Sequence, residues 1–103
     1  MPDTPLTRRS PTPEPATFFL PAVLAKLADS KEFAVEGSTV GELVADAATR
    51  FPALGPRLRD TEGNPYQYVT FYLNDEDIRF QSGFDTKVSD GDELTVVPAI
   101  AGG

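Results

Sequence analysis

Thr39-Val40-Gly41-Glu42 opens the one long amphipathic segment of this chain, and that segment decides the architecture. A Thr followed three residues later by Glu fits the capping box, in which hydroxyl and carboxylate satisfy exposed backbone donors at a helix start. Val40, Leu43, Val44, Ala47 and Phe51 then recur at helical spacing and define a single apolar face, and Pro52 stops the run. A helix with one apolar face needs a second layer to cover it.

The rest of the chain offers that layer as short strands. Ala16–Leu20 (ATFFL) reads as a first strand ended by Pro21, and Pro21–Ala28 as a helical turn with proline at its first position. Lys31–Val35 alternates polar and apolar residues as a second strand. Residues 53–66 read as irregular, with Gly55-Pro56 and Gly63-Asn64-Pro65 as turns. Tyr68–Leu73 (YVTFYL) is rich in aromatic and β-branched residues and is the strongest strand. Asn74-Asp75 turns the chain, Ile78–Phe80 forms a short strand, and Thr86–Val88 leads into the Ser89–Asp92 turn. Glu93–Val97 is the last strand. The expected fold is therefore α+β, a mixed sheet of about five strands packed on one main helix.

Three segments are expected. Residues 1–15 carry five of the ten prolines and too little apolar surface to offset the entropy of ordering, so they read as a disordered tail. Residues 16–97 form the domain. Residues 98–103 (PAIAGG) leave it as a flexible tail, released by Pro98, which has no backbone donor with which to continue a sheet.

Composition narrows the chemistry. The chain contains no Cys and no His, which removes thiol nucleophiles, thiolate metal sites, the commonest general base and the commonest transition-metal ligand. A formal net charge of -7 argues against nucleic acid and anionic membrane as partners and is compatible with a basic protein surface. No apolar run approaches the ~18 residues of a membrane span, and a cytoplasmic location is expected. Phosphate-binding glycine loops and nucleophile elbows are absent. The acidic clusters Asp75, Glu76, Asp77 and Asp90, Asp92, Glu93 fall at turns, where carboxylates are solvated; they are read neither as catalytic nor as metal-binding residues.

That leaves the terminus. A partner holding ATP could convert the carboxylate of Gly103 into an acyl-adenylate open to attack by sulfur or an amine. Gly102 and Gly103 lack side chains and so can pass a narrow channel and approach a nucleotide closely. Extended at about 3.3 Å per residue, the segment from Pro98 spans roughly 20 Å, enough to enter a pocket while the body docks outside.

The order of elements, the stretch SDGDELTVVPAIAGG and its Gly102-Gly103 end resemble the ubiquitin-like β-grasp sulfur carriers, a family that includes the small subunit of molybdopterin synthase and the thiamine sulfur carrier. FYLNDEDIRF followed by PAIAGG resembles in particular the carrier of actinobacterial cysteine biosynthesis. The resemblance spans residues 16–103 and implies an E1-like enzyme that adenylates Gly103, sulfur that displaces the adenylate as a thiocarboxylate, and a biosynthetic enzyme that accepts the sulfur. It implies no bound cofactor, ATP being used by the activating partner, and makes the chain a protein cosubstrate, not an enzyme. Only Gly102 and Gly103 carry over from the family as functional residues; the proline-rich residues 1–15 depart from its compact pattern.

Strand alternation suggests where partners dock. Ala16, Phe18, Leu20, Val69, Phe71, Leu73, Leu94 and Val96 would face the helix. Phe19, Tyr72 and Val97 would then form an apolar patch on the outer sheet face, with Pro98 and Ile100 of the tail beside it. Two other readings stay open: a ubiquitin-type modifier whose terminus ends on a lysine amine, and a β-grasp binding module in which the two glycines have no role.

Overall fold

The computed structural model describes residues 15–98. Residues 1–14 and 99–103, which include Ile100, Gly102 and Gly103, lie outside the described residues. Five strands form one sheet in the order β2-β1-β5-β3-β4. They are β1 (Ala16–Phe19), β2 (Glu32–Val35), β3 (Val69–Leu73), β4 (Glu76–Asp77) and β5 (Glu93–Pro98). The central pair β1 and β5 is parallel, whereas β1–β2, β3–β5 and β3–β4 are antiparallel. The helices are α1 (Ala22–Ala28), α2 (Val40–Arg50) and the single turn α3 (Gly55–Leu58). This mixed sheet on one main helix is the ubiquitin-like β-grasp. Among the described residues, no helix is long and apolar enough to cross a membrane.

α2 forms as its sequence dictates. Thr39 is extended at the N-cap, and its hydroxyl accepts the Glu42 backbone N–H at 3.2 Å. The return arm of the capping box differs from expectation. Glu42 Oε1 accepts from the backbone N–H of Ser38 at 2.7 Å and its hydroxyl at 2.9 Å, one residue earlier than the reciprocal partner. The carboxylate therefore fixes the chain's entry into the helix. Val40, Leu43, Val44 and Ala47 are fully buried against the sheet.

The inward-facing strand residues fall as alternation requires. Ala16, Phe18, Leu20, Phe71, Leu73, Leu94 and Val96 are buried, and Val69 packs half-buried against them. Burying Phe18 and Phe71 stabilises the fold by about 2–3 kcal/mol each. Phe33 stacks on Phe18 with ring centroids 5.5 Å apart and meets Phe51 at 4.7 Å, which seals the end of the helix against β2.

Four local expectations are corrected. Pro21 is the N-cap of α1, not its first helical residue, because its extended ψ of 160° places it outside the turn. Residues 53–66 are not wholly irregular. Pro52–Leu54 is a 3-10 turn and Gly55–Leu58 a helical turn, each with proline at its start, where a missing N–H costs nothing. They bury Leu54 and Leu58 completely. Ile78–Phe80 is a 3-10 turn, not a strand; the strand is the preceding Glu76–Asp77, which pairs with Tyr72 and Leu73. β5 also runs one residue beyond expectation, to Pro98.

Candidate functional site

The strand that precedes residues 99–103, β5, is the middle strand of the sheet. β5 has a neighbour on each side, β1 in parallel and β3 antiparallel, and this holds the root of the tail from two directions. Val97 is in register with Thr70, and Pro98 with Val69. Pro98 therefore occupies the last paired position while lacking a donor to continue the ladder.

The opposite end of β5 is clamped by side chains. Asn74 and Asp75 form the two-residue turn between β3 and β4, both with positive φ (51° and 76°), as hairpins of this loop length require. The Asn74 Nδ2 amide donates to Asp92 Oδ1 at 2.9 Å, and Asn74 Oδ1 accepts from the Glu93 backbone N–H at 2.9 Å. Asp92 Oδ2 accepts from Ser89 N–H at 2.7 Å, closing a turn in which Gly91 takes φ 77°. Within SDGDEL, Asp92 is thus a structural carboxylate that anchors the start of β5. The other acidic cluster is tied as well. Asp77 accepts both the Arg79 guanidinium, at 2.6 Å, and the Arg79 backbone N–H, at 2.9 Å. These bonds hold its carboxyl below the ordinary aspartate range. Among the described residues, no three metal-ligating side chains come together.

On the outer sheet face Phe19, Thr95 and Tyr72 form one cross-strand row, since Thr95 is in register with both aromatics. The row is flanked by Glu32, opposite Phe19, and Asp77, opposite Tyr72. Val97 lies one row nearer the tail and is 41% exposed; Phe19, Tyr72 and Pro98 are half-buried. The structure brings these residues onto one face, but as a band broken by Thr95, not as a continuous apolar patch.

Sequence reasoning missed a second group at the tail's root. Pro98 borders a cleft of about 220 Å³ lined by Val23 and Leu24 of α1, Arg57 of α3, and Tyr66, Tyr68 and Val69. Val23 is 60% and Tyr68 57% exposed; with Val97, which precedes Pro98, they make three of the four large exposed apolar side chains among the described residues. Tyr68 and Tyr66 meet edge to face at 5.3 Å. The alternation of YVTFYL already set Tyr68 apart from the inward residues. Val23 and Arg57 became visible only when the fold placed α1 and α3 beside β5.

Comparison with known proteins agrees with this geometry. Residues 19–103 match the model of the ThiS family. The sulfur carrier protein CysO of Mycobacterium tuberculosis is 37% identical over 75 residues, covering 71% of this chain and 81% of that protein. A chain in the crystal structure of the Amycolatopsis orientalis BexX/CysO complex superposes with a TM-score of 0.79 at 36% identity, covering 85% of this chain and 99% of its own. Small archaeal modifier protein 1 of Haloferax volcanii superposes at 0.73 with 26% identity, covering 84% and 99%. With the family match spanning most of the sequence and the β-grasp shared throughout, this chain belongs to the ThiS family.

Proposed function

We propose that this protein is a sulfur carrier whose working group is the carboxylate of Gly103. The observation that carries the reading is the family match that continues past the last paired residue, Pro98, through Gly102 and Gly103. The 37% identical relative named a sulfur carrier supports it. An E1-like partner supplies ATP. A carboxylate oxygen of Gly103 attacks the α-phosphorus and pyrophosphate leaves. A hydrosulfide-equivalent sulfur then attacks the acyl carbon and AMP leaves, giving the thiocarboxylate that a biosynthetic acceptor enzyme consumes. The chain supplies the tail, its fixed root and the docking face of Phe19, Tyr72, Val97, Pro98 and Ile100. Catalysis belongs to the partners.

Intact mass of the full chain tests this, after incubation with ATP, sulfide and the host's adenylating enzyme, with and without a thiol-alkylating reagent. Since the chain has no Cys, an alkyl group gained under mild neutral conditions and mapping to Gly103 reports a thiocarboxylate. An unmodified mass overturns the reading. A second reading, attachment to lysine amines, is favoured by the likeness to the archaeal modifier. It requires the same adenylate and predicts covalent adducts of higher mass in host extracts.

A further inference from the structure

Phe80 is 86% exposed, the most exposed of the large apolar side chains among the described residues. An aromatic ring in water costs roughly the transfer free energy that its burial would recover, and this one is held outward by a built turn. Ile78 is buried beneath it. The Asp77 carboxylate caps the turn through the Arg79 backbone N–H and grips the Arg79 guanidinium. Gln81 closes the turn twice. Its N–H donates to the Ile78 carbonyl at 3.0 Å, and its side-chain amide donates to Glu76 Oε1 at 3.0 Å. Beside the ring lies a cleft of about 440 Å³ shared by Tyr72, Asp75, Glu76 and Phe80.

Two observations define the occupant. The rim of the cleft is acidic: Asp75 and Glu76 are exposed, and Asp77 is already engaged by Arg79. A second copy of this chain would set carboxylate against carboxylate, in keeping with its net charge of -7. Tyr72 also belongs to the outer-face row with Thr95 and Phe19, so the corner continues the face already assigned to docking. We infer that Phe80 is an anchor that enters an apolar pocket on the activating enzyme, with lysine or arginine side chains around that pocket meeting Asp75 and Glu76. This rests on the sulfur-carrier reading, because the activating enzyme is the partner its chemistry requires whatever the final acceptor.

The corner sits at the far end of the sheet from the tail. Leu73 is opposite Leu94, four residues before Pro98, which sets the corner about 13 Å from the root at 3.3 Å per residue. A contact that far from the reacting carboxylate holds the ground and transition states alike and so appears in KM, not in kcat.

The test is ATP–pyrophosphate exchange by the host's adenylating enzyme with the full chain as substrate. Phe80→Ala should raise KM by about tenfold or more, as loss of a buried aromatic anchor does, and leave kcat and Tm near wild type. Phe80→Leu should recover most of the loss. The double variant Asp75→Asn/Glu76→Gln should raise KM several-fold at low salt, with the difference vanishing near 0.5 M, where charges are screened within about 4 Å. If Phe80→Ala keeps the wild-type KM, or lowers kcat alone, the anchor is refuted. If the charge variant has no effect at low salt, the basic rim is refuted. If the wild-type chain is not activated, the sulfur-carrier reading fails and takes the anchor with it.

Discussion

Replacing Asn74 with Asp tests whether the clamp at the start of β5 is held by the side-chain bonds the structure shows. Asn74 both donates to Asp92 and accepts from Glu93 N–H. Asp at this site keeps the acceptor and tolerates a φ of 51°, but it turns the donor into a second carboxylate about 3 Å from Asp92. The lost bond is worth ~1 kcal/mol. Repulsion between two unit charges at that distance adds ~1–1.5 kcal/mol in water-like surroundings. Asn74→Asp should therefore cost ~2–2.5 kcal/mol at pH 7, a Tm drop of about 8–20 °C for a domain of this size. The sign with pH follows from the pair. The repulsion exists only while both carboxylates are charged, so this part of the penalty is full at neutral pH and fades in acid, whereas loss of a neutral bond would not depend on pH. At pH 4 the gap should shrink by about half. Asn74→Ala loses both side-chain bonds and leaves in the left-handed region a residue without the polar side chain that lets Asn tolerate it, at ~2–3 kcal/mol without this pH dependence. Urea unfolding followed by far-UV circular dichroism at pH 4 and pH 7 measures all three proteins. An Asn74→Asp penalty under 0.5 kcal/mol at pH 7, or one that stays constant between the two pH values, would refute the clamp.

Two further outcomes are expected. Tyr72→Ala combined with Val97→Ala should slow activation of the terminus several-fold and leave the fold intact, because both side chains sit on the outer face and neither belongs to the core; unchanged pyrophosphate exchange rules out docking there. The Ser38 backbone N–H, and then the Ser38 hydroxyl, hold the Glu42 carboxyl below the ordinary glutamate value of 4.5. A depressed folded value contributes stability above 4.5 that is lost as pH falls through the folded value. Glu42→Gln should therefore flatten the acid limb of stability below pH 4.5, and chemical denaturation across pH 3–7 shows whether it does.

What could be read beforehand follows the strength of each local signal. α2 and its partners were legible because periods of 3.6 and 2 were both present. Val40, Leu43, Val44 and Ala47 face one way at the first, and Phe71, Leu73, Leu94 and Val96 at the second. Leu54 and Leu58 were hidden because Pro52, Gly55 and Pro56 read as breakers, although prolines also open short helical turns. Ile78–Phe80 read as a strand because Ile and Phe flank a polar residue. The chain resolves that ambiguity by burying Ile78 and exposing Phe80, a pattern that a three-residue turn permits. The turns at Asn74-Asp75 and Ser89–Asp92 were each visible, but no local rule joins side chains 18 residues apart. The cleft of Val23, Arg57 and Tyr68 draws on three separate elements, so only their packing reveals it.

The placement of β5 links the fold to the proposed chemistry. A terminus that must reach a nucleotide in a partner needs a mobile end and a fixed origin, since uncertainty at the origin lowers the chance that the end finds its site. An edge strand would provide one neighbour and could fray. β5 instead has β1 and β3 as neighbours, with Leu94 and Val96 buried beneath it and the Asn74–Asp92 clamp at its start. The ladder is thereby held as far as Pro98, which lacks the donor to continue it. The exposed apolar side chains are distributed accordingly. Val23 and Tyr68 share a cleft with Pro98 and Val97 precedes it, where on the proposed reading a partner would seal against the domain and exclude water from an acyl-adenylate. Phe80 stands apart at the other end of the sheet, where a contact can add affinity without touching the reacting group. On the proposed reading, binding and delivery are separated by the length of β5.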